Sequence, residues 1–368
     1  MSMTNYGIDD PEAVKLWSRK LAREAMAAAW INRFTGMGDD SIIQIHEDFK
    51  KSEGDTLTHL LRMQLDGAGI AGDDTLEGQE EALQTYTDSF VINQLRHAVR
   101  SKGKMSEQRI PFKHRAEAMK GLRDWWATRM DRWFFTQVCG YTGGQVTERG
   151  ETYSGTDVRY TGMNAAVAPE ATAHFRADSA SGFTATAADE DIASTDVMSL
   201  EYIDELKAVA ETRAPIIRPV NWQGEKLYVF VMDTLQAKAL RTNTSTGQWQ
   251  DIQKAAMQGG DLKKNPIFTG SLGMYNNVIL FSSNRICQGV NSSTGAAIST
   301  VRRGVFLGAQ ACAMGFGDGT STEKFSWAEE LFDYKNSLGV KAGVIGGMKK
   351  SRFNSKDFGS LVFSTYAA

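Results

Sequence analysis

A glycine-tipped pair of alternating segments, followed at once by one very long helix, constrains the fold of this chain more than any other feature. The segments Thr56–Asp66 and Tyr86–Val99 alternate between apolar and polar side chains, which is typical of half-buried strands. Between them, Gly67–Gly78 is glycine-rich and acidic and predicts a turn, so the two strands form a hairpin arm. The helix predicted for Pro111–Cys139 would be about 43 Å long. Such an arm and rod indicate a subunit that reaches its neighbours, not a pocket built around a substrate.

The long helix has one continuous apolar face and a favourable signal at each end. Pro111 fits the first turn of a helix, and Gly140 follows the last turn as a C-terminal cap. Trp125 and Trp126 are adjacent and point about 100° apart, so they do not both face the same neighbour, and one of them is expected to face another element or another subunit. The predicted core of this spine helix comprises Met119, Leu122, Trp126, Met130 and Trp133.

The rest of the chain predicts helices and strands in irregular alternation. The second arm segment changes parity after Ile92, which predicts a bulge or bend. Helices are predicted from Pro11 after an Asp10 cap, for Asp196–Thr212 and Gln248–Met257, and after a capping box of Asp233 and Gln236. Strands are predicted for Lys226–Met232, Val278–Phe281 and Val305–Met314. Because the spacing is not that of a parallel α/β fold, the predicted class is α+β.

Bulk composition excludes several classes of protein. The 368 residues carry a net charge of −3, which gives no general reason to bind nucleic acid or an anionic membrane. No apolar run is long enough for a transmembrane helix, and the first residues do not have the pattern of a secretory signal. The three cysteines, Cys139, Cys287 and Cys312, are widely spaced, so we expect small buried side chains and no disulfide framework.

Local charge is more informative than net charge. Residues 39–88 contain 13 acidic and 3 basic residues, and residues 95–132 contain 11 basic and 4 acidic residues. The acidic and basic blocks either screen each other within one subunit, or the block of one copy contacts the opposite block of another copy. The basic side chains could also contact nucleic acid phosphates, but we favour docking between copies. The candidate contact residues are Asp73, Asp74 and Glu77 on the acidic side and Arg96, Arg100, Lys102, Lys104 and Arg109 on the basic side.

Motifs for catalysis or cofactor binding are weak. Gly67–Gly72 matches the dinucleotide pattern G-x-G-x-x-G, but the next two residues are aspartates, which would repel a pyrophosphate. The acidic cluster around them lacks the alternating ligand spacing of a calcium loop. The five histidines are scattered, and the chain contains neither a nucleophile elbow nor a P-loop. We therefore expect no cofactor, no metal and no enzymatic activity.

Long stretches of the chain are similar to a known family. They include GDTLTHLLRMQLDGAGIAGDDTLEGQEEAL, FVINQLRHAVRSKGKMSEQRIPF, DRWFFTQVCG, RPVNWQGEKLYVFVMDTLQAKALR and GVIGGMKKSRFNSKDFGSLVFSTYAA. In these stretches the chain resembles the major capsid proteins of tailed phages, and most of all the family typified by the capsid protein of coliphage N-four. The resemblance covers most of the sequence and is weakest in residues 142–195.

The resemblance implies the Hong Kong 97-type capsid fold and a division of the chain. The N-terminal arm would be residues 1–52, and the extended loop, a β-hairpin that lies over a neighbouring subunit, residues 53–105. The peripheral domain with the spine helix would be residues 106–195, and the axial domain residues 196–300. Residues 301–368 would add the C-terminal strands of the peripheral domain.

The resemblance also implies a function without an active site. The protein would assemble as hexamers and pentamers into an icosahedral shell around double-stranded DNA, in the host bacterial cytoplasm and without a membrane. Its partners would be further copies of itself, portal, scaffolding and decoration proteins, and DNA contacted non-specifically. Two alternatives remain open from sequence: an encapsulin-like cellular compartment, and a dinucleotide-binding enzyme that uses the Gly67–Gly72 loop.

Overall fold

The structure is a computed structural model of the chain. It describes residues 11–46, 55–62, 67–73, 75–78, 80–81, 86–109, 113–178, 182–222, 224–243, 273–317 and 325–368. The predicted Asp10 cap, the predicted helix start at Pro111 and the predicted helix Gln248–Met257 lie outside these residues.

Five helices and twenty-one strands make up the described part of the chain. The helices are α1 (Pro11–Ala28), α2 (Lys104–Gln108), α3 (His114–Val138), α4 (Glu201–Thr212) and α5 (Thr234–Thr242), with 3-10 turns at Trp30–Phe34, Ala171–Ala173 and Asp189–Asp191. The strands are β1 (Thr35–Gly36), β2 (Ile43–His46), β3 (Thr56–Leu61), β4 (Tyr86–Val91), β5 (Asn93–Arg100), β6 (Val146–Glu148), β7 (Glu151–Tyr153), β8 (His174–Asp178), β9 (Gly182–Thr184), β10 (Val220–Trp222), β11 (Glu225–Met232), β12 (Met274–Tyr275), β13 (Val278–Ser282), β14 (Gln288–Val290), β15 (Ala297–Leu307), β16 (Cys312–Phe316), β17 (Ser326–Phe332), β18 (Ser337–Lys350), β19 (Arg352–Phe353), β20 (Lys356–Asp357) and β21 (Ser360–Tyr366).

The first sheet carries the long helix. Its strands lie in the order β1-β2-β16-β18-β17, and β5 pairs with residues 339–346 of β18. The β5–β18 and β17–β18 pairs are antiparallel, whereas β2 lies parallel to β16. Helix α3 packs on β18 and β5, and α1 packs on α3 and β17. Trp17 of α1 stacks on Trp327 of β17 with ring centroids 6.1 Å apart, which joins the helices to the sheet in one apolar core.

One face of the second sheet forms a separate apolar cluster with α4 and α5, whereas residues of its other face, such as Val231, Val305 and Val362, belong to the core of the first sheet. The strands of the second sheet lie in the order β12-β13-β11-β15-β21-β8-β9, with β10 on β11 and β14 on β15. The predicted capping box at the start of α5 is confirmed. Asp233 Oδ1 accepts a hydrogen bond from the Leu235 N–H at 2.8 Å, and Gln236 Oε1 accepts one from the Asp233 N–H at 2.9 Å. These bonds satisfy backbone donors that the first turn of a helix leaves unpaired.

The hairpin arm is present, and its second segment bends where the parity of the sequence changes. Strands β3 and β4 pair antiparallel from Thr56–Val91 to Leu61–Tyr86. After Ile92, β5 leaves the hairpin and pairs with eight residues of β18. The bend is therefore the point at which the chain passes from the projecting arm into the first sheet, because each strand buries its own parity of side chains.

Helix α3 is long and ends as predicted. It spans 25 residues and is followed by Gly140 with φ 58°. A Cβ atom at Gly140 would lie 2.6 Å from the ring of Pro169, so both the left-handed backbone and the close approach require glycine. No described helix is both long and apolar enough to cross a membrane. All three cysteines are buried and free, as expected.

The single strand predicted for Val305–Met314 is wrong. Strand β15 ends at Leu307 in the second sheet, and β16 begins at Cys312 in the first. Between them the chain turns at residues 308–311, where Gln310 has a left-handed backbone with φ 53° and a Cβ atom at Gly308 would come within 2.4 Å of Ile217 Cγ2. The apolar run therefore reflects burial in two different sheets and not one continuous strand.

Candidate assembly surfaces

The tip of the hairpin arm, residues 67–81, is exposed and acidic. Glu81 and Glu80 turn back on the tip, where they accept hydrogen bonds from the Gly67 and Gly78 N–H groups at 2.7 Å each. Asp73 and Glu77 are exposed and have no hydrogen bond or ion pair within the described residues. Asp74 lies outside them. This tip is called the acidic apex below.

The apex does not have the geometry of a nucleotide or metal site. In the described residues after Gly72 the chain continues as turn and coil, whereas the dinucleotide fingerprint requires a helix N-terminus there. Among the described residues of the chain, no three His, Cys, Asp or Glu side chains are grouped so as to hold a metal ion. The free carboxylates of the apex are therefore available to a macromolecular partner.

The predicted basic residues occupy one edge of the first sheet and the corner beside it. Arg96 and Arg100 lie on β5 and are exposed. Arg100 Nε donates to Ser337 Oγ at 3.0 Å, and its guanidinium lies 4.2 Å from the Phe332 ring centre. Lys102, Lys104 and Arg109 follow on the exposed surface. In the described part of the chain, none of the five forms an ion pair with a carboxylate, and none contacts the apex of its own subunit.

The predicted spine-helix residues lie in the core. Met119, Leu122, Trp126, Met130 and Trp133 are all buried in the cluster between α3 and the first sheet. Trp133 Nε1 donates to the Arg159 carbonyl at 2.7 Å, which anchors the loop after β7 to the helix. Trp125, half-buried, stacks on His97 of β5 with ring centroids 4.3 Å apart. Within the subunit, Trp125 therefore faces another element of the same chain.

The root of the arm is clamped to the end of β18 by polar contacts. Lys349 Nζ donates to Asp88 Oδ1 at 2.6 Å, and the Arg352 N–H donates to Asp88 Oδ2 at 3.0 Å. The Asn164 side chain makes two hydrogen bonds with the Val91 backbone, at 2.8 and 2.9 Å. Sequence reasoning missed this clamp because its partners are distant along the chain and none belongs to a local motif.

His59 is buried inside the same root. Its ring centroid lies 5.6 Å from that of His46 and 5.9 Å from that of Phe90, and Nε2 lies 3.4 Å from Ser351 Oγ. Burial lowers the pKa of His59 to about 4; His46 and Lys349 act in the same direction, while Asp88 opposes the shift. The folded arm therefore contains a neutral imidazole at neutral pH.

Acidification is expected to weaken the fold through His59. The unfolded imidazole protonates near pH 6.5 and the folded one only near pH 4, so stability is full above pH 6.5 and falls as the pH decreases through that window. The contribution lost is about 3 kcal/mol. His174, whose pKa burial also lowers to about 4, adds to the loss, and Asp131, whose pKa burial raises to about 6, opposes it.

The measurement is chemical denaturation at several pH values between 7 and 4. His59→Phe should reduce the acid-induced loss by about 3 kcal/mol. Ser351→Ala keeps the imidazole and removes only its polar neighbour, so it should retain the pH dependence of the wild type. An unchanged pH dependence in His59→Phe would contradict the assignment.

A buried ion network in the second sheet was also missed from sequence. The Asp189 carboxylate accepts hydrogen bonds from Arg303 Nε at 2.8 Å, Arg176 Nε at 3.1 Å and the Val290 N–H at 3.0 Å. Burial alone would raise the pKa of Asp189, but contact with the His174 imidazole, the positive charge of Arg303 and the Val290 N–H together hold this pKa well below its usual range. Arg303 Nη1 also donates to the Gly140 carbonyl at 3.1 Å, so the network ties the second sheet to the end of α3.

A polar cleft of about 520 Å³ lies between α3, the β6–β7 turn and residues 284–285. The arginines that line this cleft form hydrogen bonds with other groups of the same subunit. Arg132 Nη2 and Arg285 Nη1 both donate to Glu151 Oε2, at 2.8 and 3.0 Å, and Arg149 makes a bidentate pair with Asp233. The cleft therefore joins elements of the fold, and its guanidinium groups are already engaged.

Comparison with known proteins identifies the family. The sequence matches the family model described as phage capsid protein over residues 5–368. The chain belongs to the phage capsid protein family. This capsid protein is 28% identical over 378 residues to the major capsid protein of Pseudomonas phage KPP25, a match that covers 99% of this chain and 97% of that protein.

Solved capsid structures are similar along the whole chain. The capsid of Ralstonia phage GP4 has 32% identity and a TM-score of 0.77, with 100% of this chain and 99% of that chain covered. The capsid asymmetric unit of cyanophage Pam1 has 19% identity and a TM-score of 0.67, with 100% and 97% covered, and shows the shared fold.

These comparisons confirm the α+β, Hong Kong 97-type fold and the resemblance to tailed-phage major capsid proteins. This capsid protein is the major capsid protein of a phage, so it belongs to the virion capsid. The family consists of structural proteins and not enzymes, which excludes the dinucleotide-binding alternative. The family also decides in favour of a phage capsid over the cellular compartment.

Proposed function

We propose that this protein assembles as hexamers and pentamers into a closed icosahedral shell that encloses the double-stranded DNA of a tailed phage. The observation that carries the proposal is the hairpin arm. Its strands β3 and β4 pack on their own subunit, where Tyr86 contacts Phe353 with ring centroids 4.3 Å apart and Gln310 Nε2 donates to the Leu60 carbonyl at 3.0 Å. Beyond these strands, the apex holds Asp73 and Glu77, which have no partner in the described part of the subunit. The apex is therefore the part of the arm that is suited to bind the next subunit.

The proposed division of the chain follows the two sheets. Residues 1–52 form the N-terminal arm and 53–105 the extended loop. Residues 106–195 and 301–368 form the peripheral domain around the first sheet and α3, and 196–300 form the axial domain around the second sheet. Support comes from the apolar cluster that α4 and α5 form with one face of the second sheet, while the other face of that sheet packs in the core around α3. The second sheet extends into β8, β15 and β21, so strands from both sides of residues 196–300 join the two regions.

We further propose that the acidic side chains Asp73, Asp74 and Glu77 of one copy face the basic residues Arg96, Arg100, Lys102, Lys104 and Arg109 of another. Exposed ion pairs contribute about 0–1 kcal/mol each. The contact would therefore set the register of neighbouring subunits more than their affinity. Because it recurs at every subunit, a small change per contact has a large effect on shell yield.

Reversing the charge of the apex is expected to impair assembly and leave the subunit folded. The variant that replaces Asp73, Asp74 and Glu77 by lysine should give about ten-fold fewer closed shells, with an unchanged melting temperature of the unassembled protein. Substitution of the same residues by Asn, Asn and Gln removes charge without repulsion and should give an intermediate yield. Normal shells from the lysine variant would contradict the proposed contact.

Further partners follow from this role. Portal and scaffolding proteins would direct assembly in the host cytoplasm, decoration proteins would bind the finished shell, and exposed Lys and Arg side chains would contact DNA non-specifically. The test is negative-stain electron microscopy of particles purified after expression with and without the neighbouring phage genes. Closed shells of uniform diameter, with nuclease-protected DNA in native particles, support the proposal. Monomers or small oligomers under both conditions would refute it.

A further inference from the structure

We propose that the paired thiols of Cys139 and Cys287 are a two-electron oxidation site, at which a hydroperoxide forms a disulfide between the end of α3 and the second sheet. This inference goes beyond the shell function, because it concerns chemistry within one subunit. Cys139 follows the last residue of α3, and Cys287 directly precedes β14. A disulfide between them would therefore link two elements that are distant in the sequence.

The two thiols contact each other in the interior. Both side chains are fully buried, and the Cys139 thiol forms a hydrogen bond with the Cys287 thiol. Arg303 connects the two backbones. Its N–H donates to the Cys287 carbonyl at 3.1 Å, and its Nη1 donates to the Cys139 carbonyl at 3.4 Å. Because the sulfur atoms are already neighbours, small side-chain movements bring them to the S–S bond length of about 2.05 Å.

The charges around the pair make Cys287 the more reactive thiol. Burial alone would raise the pKa of the Cys287 thiol, but the hydrogen bond from Cys139 and the positive charges of Arg132 and Arg303 lower it below its usual value. Burial and the same hydrogen bond raise the pKa of the Cys139 thiol well above its usual value. Since the thiolate is the nucleophilic form, Cys287 attacks the oxidant while Cys139 retains its proton.

The polar cleft provides a route from solvent towards the pair. Arg132 and Arg285 line this cleft of about 520 Å³. Arg132 Nη1 donates to the Arg285 carbonyl at 2.8 Å, so the wall of the cleft continues into the segment that carries Cys287. A molecule as small as hydrogen peroxide needs only a local opening of this wall to reach the buried sulfur atoms.

Cys312 is an internal contrast to the pair. Its thiol is also buried, but Cys312 Sγ donates to the Lys349 carbonyl at 3.1 Å, and burial raises the pKa of the thiol. Neither an arginine nor another cysteine is among the groups that shift this pKa. Oxidation that depends on the arrangement around Cys139 and Cys287 should therefore leave Cys312 as a free thiol.

One molecule of hydrogen peroxide balances the reaction. The Cys287 thiolate attacks one peroxide oxygen, the O–O bond breaks, and hydroxide leaves as Cys287 becomes a sulfenic acid. Cys139 Sγ then attacks Cys287 Sγ, the S–O bond breaks, and the Cys139 proton leaves with the hydroxyl group as water. The two thiols lose two electrons, and the peroxide is reduced to two molecules of water once the hydroxide is protonated.

The disulfide would stabilise the virion after its release from the cell. Thiols remain reduced in a bacterial cytoplasm, whereas disulfides persist outside it. A subunit with free thiols therefore gains the bond only after assembly. Because the bond closes a long stretch of chain, it restricts the unfolded state and raises the stability of the oxidised subunit.

The test counts the free thiols of the purified wild-type protein before and after treatment with hydrogen peroxide. The protein is unfolded, its free thiols are alkylated with iodoacetamide, and its peptides are analysed by mass spectrometry without reduction. All three cysteines should be alkylated before treatment, and Cys312 alone afterwards, with the peptides of Cys139 and Cys287 linked. The melting temperature of the oxidised protein should be about 5 °C higher, and dithiothreitol should reverse the increase.

Three serine variants assign the roles of the cysteines. Cys139→Ser should stop at the sulfenic acid of Cys287, which dimedone labels, and Cys287→Ser should leave Cys139 unmodified. Cys312→Ser is the matched control and should form the same disulfide as the wild type. The wild-type peptides decide the result even where a variant does not fold.

Two results would overturn the proposal. One is alkylation of all three cysteines of the wild type after peroxide treatment, and the other is a disulfide that includes Cys312. Oxidation of Cys287 without linkage to Cys139 would likewise exclude the disulfide. The same measurement applies to the unassembled subunit, so its failure leaves the shell function untouched, and a protein that forms no shells still tests the oxidation site.

Discussion

Replacing Asp189 by alanine is expected to lower the free energy of unfolding by about 3–5 kcal/mol. The carboxylate is fully buried and lies between Arg303, Arg176 and the imidazole of His174. Its removal leaves the buried Arg303 and the partly buried Arg176 without this counter-charge, and an uncompensated buried charge costs far more than the pair contributes. Because Arg303 also holds the carbonyl of Gly140, the loss extends to the end of α3.

The measurement is urea denaturation of the unassembled protein followed by tryptophan fluorescence. Glu190→Ala is the matched control, since Glu190 is the next residue, is exposed, and binds the Ser292 N–H and hydroxyl groups at the surface. Its loss should cost less than about 1 kcal/mol. Asp189→Asn keeps the shape and part of the hydrogen bonding, so its loss in free energy of unfolding should lie between those of Asp189→Ala and Glu190→Ala. Equal effects for Asp189→Ala and Glu190→Ala would show that the network contributes no more than a surface contact.

Trp133→Ala in the spine helix is expected to cost about 3–5 kcal/mol for a second, independent reason. The indole is completely buried, contacts Trp126 edge to face at 6.5 Å, and donates to the Arg159 carbonyl at 2.7 Å. Truncation leaves a cavity between α3 and the first sheet and removes one of two hydrogen bonds to the Arg159 carbonyl, to which Arg129 Nη1 still donates at 3.2 Å. Because the interior is close-packed, the surrounding side chains fill such a cavity only in part.

Two further variants separate the causes. Trp133→Phe retains most of the volume and loses the hydrogen bond, so its cost should be about 1–3 kcal/mol. Lys120→Ala on the exposed side of the same helix should change stability by less than about 0.5 kcal/mol. The same denaturation measurement applies, and a Trp133→Ala variant as stable as Lys120→Ala would contradict the role of α3 as the centre of the first core.

The local features of this fold were predictable from sequence because their causes are local. The arm strands, the bend after Ile92, the spine helix and the capping box of Asp233 and Gln236 each follow from side-chain periodicity or from a motif a few residues long. The prediction of one strand for Val305–Met314 was wrong because the cause of the break in this strand is not visible in local periodicity. The run is apolar as predicted, but a turn at residues 308–311, with Gln310 at φ 53°, separates its two halves, which pair with distant strands in different sheets.

The contacts that position the assembly surfaces could not be predicted in the same way. Asp88 and Lys349 are separated by 261 residues, and Arg303 and Asp189 by 114. Neither pair belongs to a short sequence motif from which the contact could be predicted. Charge alone selected Arg96 and Arg100 as candidates, but only the pairing of β5 and β17 with β18 brings Lys341 and Ala328 beside them. Long-range strand pairing therefore brings these side chains together, and no single residue among them indicates a contact surface in the sequence.

The central claim is that the hairpin arm of one subunit binds the next subunit in a closed shell, and cryo-electron microscopy of purified particles tests it most directly. The account predicts rings of six and five subunits in which the acidic apex of each copy contacts a neighbour, with Asp73 and Glu77 near Arg96 and Arg100. Density in which each arm folds back on its own subunit, or projects from the shell without contacting a neighbour, would contradict it.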